Sequence, residues 1–233
     1  MKKFISVSPL ILLEKSSRKG LGPGNLGALI ARAGVGKTAC LIHIAFDRII
    51  NGAKLVHISL DEAPDKVTSY YDVILHDLVQ ALEMQDECEM RDLIERNRLI
   101  LAYLNQSFSM ERLADNLSNL RENMGFSPDA LIVDGLDFQA SPRTILEKFK
   151  EIAGSFETEV WFSALSHRHI TETNERGIPH PCHDVDDLFS IIIHMQPEVS
   201  GIHLRLLKDH DHPTITGARV NLDPGTFLVM EGA

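Results

Sequence analysis

Short apolar runs alternate along the chain with stretches in which apolar residues recur every three or four positions. Leu26–Ile30, Leu55–Leu60 and Ala130–Val133 are runs without in–out alternation, the pattern of strands buried on both faces. Leu99–Leu104 and a segment around Glu159–Ser163 predict two further strands. Between them the period is helical. A helix is predicted from Lys37 to about Ile50, ended by Asn51-Gly52, and Pro64 opens a long one whose apolar face is Val67, Tyr70, Tyr71, Ile74, Leu75, Leu78, Val79 and Leu82. Asp86–Arg98 predicts a more exposed helix. Ser109 is placed to cap another, with Met110, Leu113, Leu117, Leu120 and Met124 on its apolar face, and one more lies around Arg143–Ala153. From Ser190 on the pattern is all strand: Ile191–His194, His203–Lys208, Ala218–Leu222 and Phe227–Met230. The expected fold class is α/β, a mostly parallel central sheet flanked by helices with antiparallel C-terminal strands. No repeat or linker interrupts it, so residues 1–233 read as a single domain.

Composition narrows the function classes. Of 233 residues, 44% are hydrophobic and 24% charged, a globular balance. With 23 Lys+Arg against 33 Asp+Glu the net charge is −10, which excludes a uniformly basic nucleic-acid wrapper. Cys40, Cys88 and Cys182 are odd in number and widely spaced, which is no disulfide framework. Lys2-Lys3 and the apolar stretch Phe4–Leu13 imitate a signal peptide, but Glu14-Lys15-Ser16-Ser17-Arg18-Lys19 follows instead of a small-residue cleavage site. No apolar run reaches the ~18 residues of a membrane helix. The sequence reads as cytoplasmic, with no membrane partner.

Chemistry concentrates between the first strand and first helix. Ala31-Arg32-Ala33-Gly34-Val35-Gly36-Lys37-Thr38, followed by Ala39, has the Walker A spacing with Ala in the first glycine position. Small residues let the backbone wrap a phosphate with its N–H groups inward, and the helix N-terminus adds its dipole at the same point. Lys37 would reach the β- and γ-phosphates of ATP, and the Thr38 hydroxyl would ligate Mg²⁺. A second acidic partner for Mg²⁺ is Asp134, at the tip of the run Ala130–Val133, the edge where open α/β sheets bind ligands.

With these motifs located, the chain resembles the RecA superfamily, and within it the KaiC-like and DnaB-like ATPases, from about Gly20 to Met230. Gly22-Pro23-Gly24-Asn25-Leu26 is similar to the lead-in of that family, Leu55 to Pro64 to its second strand with paired acidic residues, and Phe162 to Arg168 to its sensor strand. Leu206-Leu207-Lys208-Asp209-His210 through Thr216-Gly217 is similar to its C-terminal hairpin. The resemblance implies a RecA-like P-loop fold and an ATP hydrolase acting as a homo-oligomer, ring or filament, with the nucleotide between subunits. It implies that Asp61 or Glu62 polarises the attacking water, that position 167 senses the γ-phosphate, and that Lys208 acts on a neighbour. The chain departs from the family at His167, usually Gln, and at His210, where an Arg finger is expected. Either hydrolysis is then slow, or the finger comes from elsewhere, for example Arg205 or Arg219.

A His-rich loop completes the picture. His167, His169, His180, Cys182 and His183 have zinc-ligand chemistry without a recognised spacing, and Arg168, His169, Arg176 and His180 could meet nucleic-acid phosphates among acidic neighbours. The plain expectation for this segment is a polar loop. Beside the ATPase, two further functions fit the sequence: a nucleotide-gated binding module with little hydrolysis, and an accessory ATPase of DNA recombination or replication that binds single-stranded DNA.

Overall fold

A computed structural model describes residues 4, 6–15, 20–104, 107–167, 170, 172–210 and 219–230. Its strands are β1 (Leu26–Ala31), β2 (Leu55–Ser59), β3 (Arg98–Ala102), β4 (Ala130–Asp134), β5 (Glu159–Leu165), β6 (Ile191–Glu198), β7 (Gly201–Asp209) and β8 (Arg219–Leu222). Its α-helices are α1 (Lys37–Ile50), α2 (Pro64–Ala81), α3 (Glu87–Asn97), α4 (Met110–Met124) and α5 (Arg143–Ser155). One eight-stranded sheet runs in the order β3-β2-β4-β5-β1-β6-β7-β8. The pairings from β3 across to β6 are parallel, and β6–β7 and β7–β8 are antiparallel.

Strand alternation divides the interior in two. Leu29, Ala31, Ala130, Ile132 and Trp161 face a core built with α1, α2 and α3. Their neighbours Ala28, Ile30, Leu131, Val133, Val160 and Phe162 face a second core built with α4 and α5. Both faces of the central strands are therefore covered, which is why their sequences are apolar throughout.

Local chemistry sets the element ends. The Ser109 hydroxyl accepts from the Arg112 N–H at 3.2 Å, and Gly125 closes α4 in the left-handed region at φ 62°. Two expectations are corrected, and one segment without a predicted element finds its place. Met124 is 66% exposed, because α4 has turned its last turn away from the core. Residues 227–230 make no strand beyond an isolated bridge from Val229 to Leu222, since a turn knitted by Asp223 occupies the segment. The apolar stretch near the N-terminus folds inward: Pro9–Lys15 is a 3-10 helix, and Phe4, Leu12 and Leu13 are buried in the α1 core. Among the described residues no helix is long and apolar enough to cross a membrane.

Candidate functional site

The carboxyl ends of β1, β2, β4 and β5 share one edge of the sheet, and the loop after Ala31 rises from it. Gly34 and Gly36 sit in the left-handed region, at φ 75° and φ 97°. Gly36 is the N-cap of α1 and no side chain caps the helix, so its first amides open onto the sheet edge. Val35 is buried and pins the loop to the core. The Lys37 ammonium folds over the turn and donates to the carbonyls of Ala31 at 3.3 Å and Arg32 at 3.1 Å. Burial lowers its pKa, and the charge of Asp134 opposes that shift.

Asp134 reaches the same point from the other side. β5 lies between β1 and β4, so the two strands are separated by about 10 Å. Side chains close that gap. The Thr38 hydroxyl donates to Asp134 Oδ2 at 2.6 Å, and the Ser163 hydroxyl of β5 donates to Oδ1. Ser163 Oγ in turn accepts the Gly135 N–H at 3.3 Å. Alternation aims Asp134 and Ser163 at the α1 side, where Thr38 begins the helix. Ser163 is the residue that sequence reasoning does not single out. The signal available is a serine between the apolar residues Phe162 and Ala164 of an otherwise buried strand.

The acidic pair after β2 splits. The Asp61 carboxyl lies against Gly135, where a β-carbon would meet its Oδ1 at 2.6 Å. Desolvation, then the charges of Asp134 and Glu62, push the Asp61 pKa up. Glu62 turns away: its Oε1 faces the Tyr70 hydroxyl of α2 at 3.5 Å, and its backbone is tied twice to Ser59 Oγ. The structure thus brings Asp61 to the Asp134 tip and sends Glu62 to α2.

The remaining predicted residues divide between the two sides of the sheet. Asp209 pairs with Ile191, level with Gly27 near the start of β1, and Lys208 pairs with Ile192, level with Ala28 in the middle of that strand. Lys208 Nζ donates to the Asp186 carbonyl at 2.6 Å. His210 is buried, with Nδ1 2.9 Å from Asp209 Oδ1 and Nε2 3.2 Å from the Leu21 carbonyl. It is a structural residue of the amino edge, not one presented outward. Arg205 and Arg219 pair in register, and Arg205 pairs with His194, itself opposite Ile30 near the carboxyl end of β1. Both arginines are exposed. Burial pushes the His194 pKa down to about 4, with Arg205 and Arg32 adding to the shift. His167 follows β5, its ring centroid 6.4 Å from that of His180, which is 5.5 Å from that of His183. Among the described residues no group of three or more His, Cys, Asp or Glu side chains is arranged to hold a metal ion. Arg168 and His169 lie outside the described residues.

An uncapped helix N-terminus, an ammonium and two oxygen donors thus converge, with a carboxyl of raised pKa beside them. Compared with known proteins, the sequence matches no protein-family model and no curated protein.

Proposed function

We propose that the chain is a Mg²⁺-dependent P-loop ATPase of the RecA/KaiC/DnaB type. One observation carries the reading: Thr38 and Asp134, 96 residues apart in sequence, meet at 2.6 Å beside the uncapped turn at Gly34–Gly36. ATP and Mg²⁺ fit the residues present. The open amides of α1 and the Lys37 ammonium suit phosphate oxygens, and the Thr38 hydroxyl with the Asp134 carboxylate offers hard oxygen donors. Mg²⁺ binds through one or two such groups plus substrate phosphates, and needs no larger protein cage. When bound, it neutralises phosphate charge.

The chain's own residues supply positioning and a base. The loop amides and Lys37 bind and orient the triphosphate. Asp61 accepts a proton from the attacking water as the bond between the γ-phosphorus and the bridging oxygen breaks, leaving ADP and phosphate. Desolvation, the first cause of its raised pKa, is independent of the charge on Asp134 and makes it a stronger base than an ordinary aspartate. Glu62, engaged by Tyr70, is the less suited of the two. Lys37→Ala tests the reading: MgATP binding, followed by calorimetry, is expected to vanish, and wild-type turnover surviving in that variant refutes it.

A second reading, a nucleotide-gated binding module with slow hydrolysis, is favoured by His210. Its ring is occupied by Asp209 and Leu21 and supplies no cation to a reacting phosphate. Single-turnover hydrolysis against protein concentration, with and without single-stranded DNA, separates the two. Rapid turnover removes the gate-only reading, and a concentration-dependent rate identifies a site shared between copies in a ring or filament.

A further inference from the structure

The nucleotide-binding turn leans on the other end of the chain. A β-carbon built on Gly36 would lie 2.1 Å from Cζ and 2.3 Å from Cε1 of Phe227, so the ring edge rests directly on the Gly36 α-carbon. Gly36 is the residue whose left-handed backbone, φ 97° and ψ 32°, turns the loop into α1 and opens the first amides. Phe227 itself is held at φ 56°, a region that a bulky side chain occupies only when its surroundings dictate it.

Those surroundings are visible. Asp223 Oδ1 accepts from Gly225 N at 3.0 Å, Thr226 N at 2.8 Å and Thr226 Oγ1 at 3.0 Å, and the Asp223 carbonyl accepts the Phe227 N–H at 2.8 Å. The four bonds wind 223–227 into a rigid turn that delivers the ring. Behind it stands His43 of α1, 6.3 Å between ring centroids, and His43 is stacked in turn on Phe4 at 5.9 Å. The ring therefore has the loop in front of it and an aromatic wall at its back. Strained backbone of this kind gathers where a neighbouring site needs to be held in shape.

We propose that Phe227 is a positioning residue for the phosphate-binding loop: delivered by the Asp223 turn, its ring holds Gly36 in the left-handed conformation that exposes the amides of α1, and so sets nucleotide affinity. This rests on the nucleotide reading of the loop, although the contact itself does not. No side chain other than glycine is tolerated at position 36 while the ring is present, and removing the ring frees the turn to relax.

Two measurements test it on the full chain. Hydrogen exchange of the Gly34–Thr38 amides in nucleotide-free protein reads the loop directly, and MgATP affinity reads the consequence. Phe227→Ala and Asp223→Ala are expected to speed exchange at those amides and to weaken MgATP binding by about tenfold, in the range of ordinary coupling between sites. Phe227→Leu, which keeps an apolar contact, retains most of the affinity. Leu228→Ala removes the buried side chain next to Phe227 while leaving the ring in place, and is expected to lower the melting temperature while leaving exchange at the loop and MgATP affinity in place. If Phe227→Ala fails to fold, Asp223→Ala, which leaves the ring intact, decides the question. Unchanged loop exchange in both Phe227→Ala and Asp223→Ala, or an equal effect from Leu228→Ala, overturns the proposal. A wild-type protein that binds no MgATP overturns the ATPase reading instead, and the exchange data still decide the role of Phe227.

Discussion

Gly135→Ala isolates the placement of the proposed base from the binding of nucleotide. Gly135 follows Asp134 at φ 87°, and a β-carbon there would stand 2.6 Å from Oδ1, 2.7 Å from Cγ and 3.0 Å from Oδ2 of Asp61. Ordinary contact begins at 3.4 Å, so the carboxyl must retreat by about 0.8 Å (3.4 − 2.6). A misplacement near 1 Å costs roughly 10²-fold in rate, so a fall of about 10- to 100-fold is expected in single-turnover hydrolysis. The left-handed backbone adds about 1–2 kcal/mol of destabilisation, or roughly 2–8 °C in melting temperature for a chain of this size. MgATP affinity should stay at the wild-type value, because Asp61 is not among the groups placed to hold the phosphates. The cycle with Asp61→Asn completes the argument: once the base is gone, adding Ala at 135 should cost no further rate. Undiminished hydrolysis in Gly135→Ala, or losses that simply add in the double variant, would refute the role given to Asp61.

Other consequences follow from the same packing. Glu159 is buried and held by Arg48 at 2.9 and 3.1 Å, by the Trp161 indole at 3.1 Å and by the Gly22 N–H at 3.2 Å. Arg48→Ala should cost about 3 kcal/mol in denaturant titration near neutral pH. Burial already pushes the Glu159 pKa up, against Arg48, and losing Arg48 raises it further. The folded state then binds the proton more tightly than the unfolded one, so the deficit is smallest at acid pH and grows as pH rises through the folded value. A deficit that shrinks with rising pH would contradict the assignment. Gly27→Ala places a β-carbon 2.6 Å from the Trp161 ring within central strand β1, and calorimetry should record a loss of about 1–3 kcal/mol. Arg205→Ala should lower turnover by about 10²-fold at unchanged MgATP affinity if Arg205 supplies the cation within one chain. Lys208→Ala should lower it only in assembled protein, and loss of rate in dilute monomer would contradict the action of Lys208 on a neighbouring copy.

The sequence is most legible where one physical constraint acts alone. Burial on both faces forces continuous apolar runs, so the runs mark β1, β2 and β4 to within about one residue of their ends. The Ser109 cap and the Pro64 start are readable because capping and proline chemistry are local. The candidate site is legible in its backbone motif, and Asp134 becomes legible through that motif, since an acid at the tip of an apolar run otherwise serves equally as a turn cap. Contacts decided over long separations are hidden. Two adjacent acids on one turn look equivalent until Gly135 admits Asp61 and Tyr70 takes Glu62. Phe227 has an ordinary apolar signature, and the strand expected there gives way to a turn made by Asp223, whose hydrogen bonds no periodicity reports.

The sheet order itself decides what can act together. Because β6 runs parallel to β1 and β7 returns antiparallel, β7 steps from the carboxyl side of the sheet toward its amino side as it runs from Arg205 to Asp209. Arg205 lies level with His194 and Ile30, toward the carboxyl edge, whereas Lys208 lies level with Ile192 and Ala28, toward the amino edge. Lys208 Nζ is engaged by the Asp186 carbonyl and the His210 ring by Asp209 and Leu21, so neither is turned to the loop of its own chain. On the proposed reading, a contribution from either residue is expected from a second copy, so that assembly and hydrolysis become one measurement. Arg205 is level with Ile30 toward the carboxyl side, and its register pairing with Arg219 sets two like charges directly opposite one another on adjacent strands, an arrangement that costs stability.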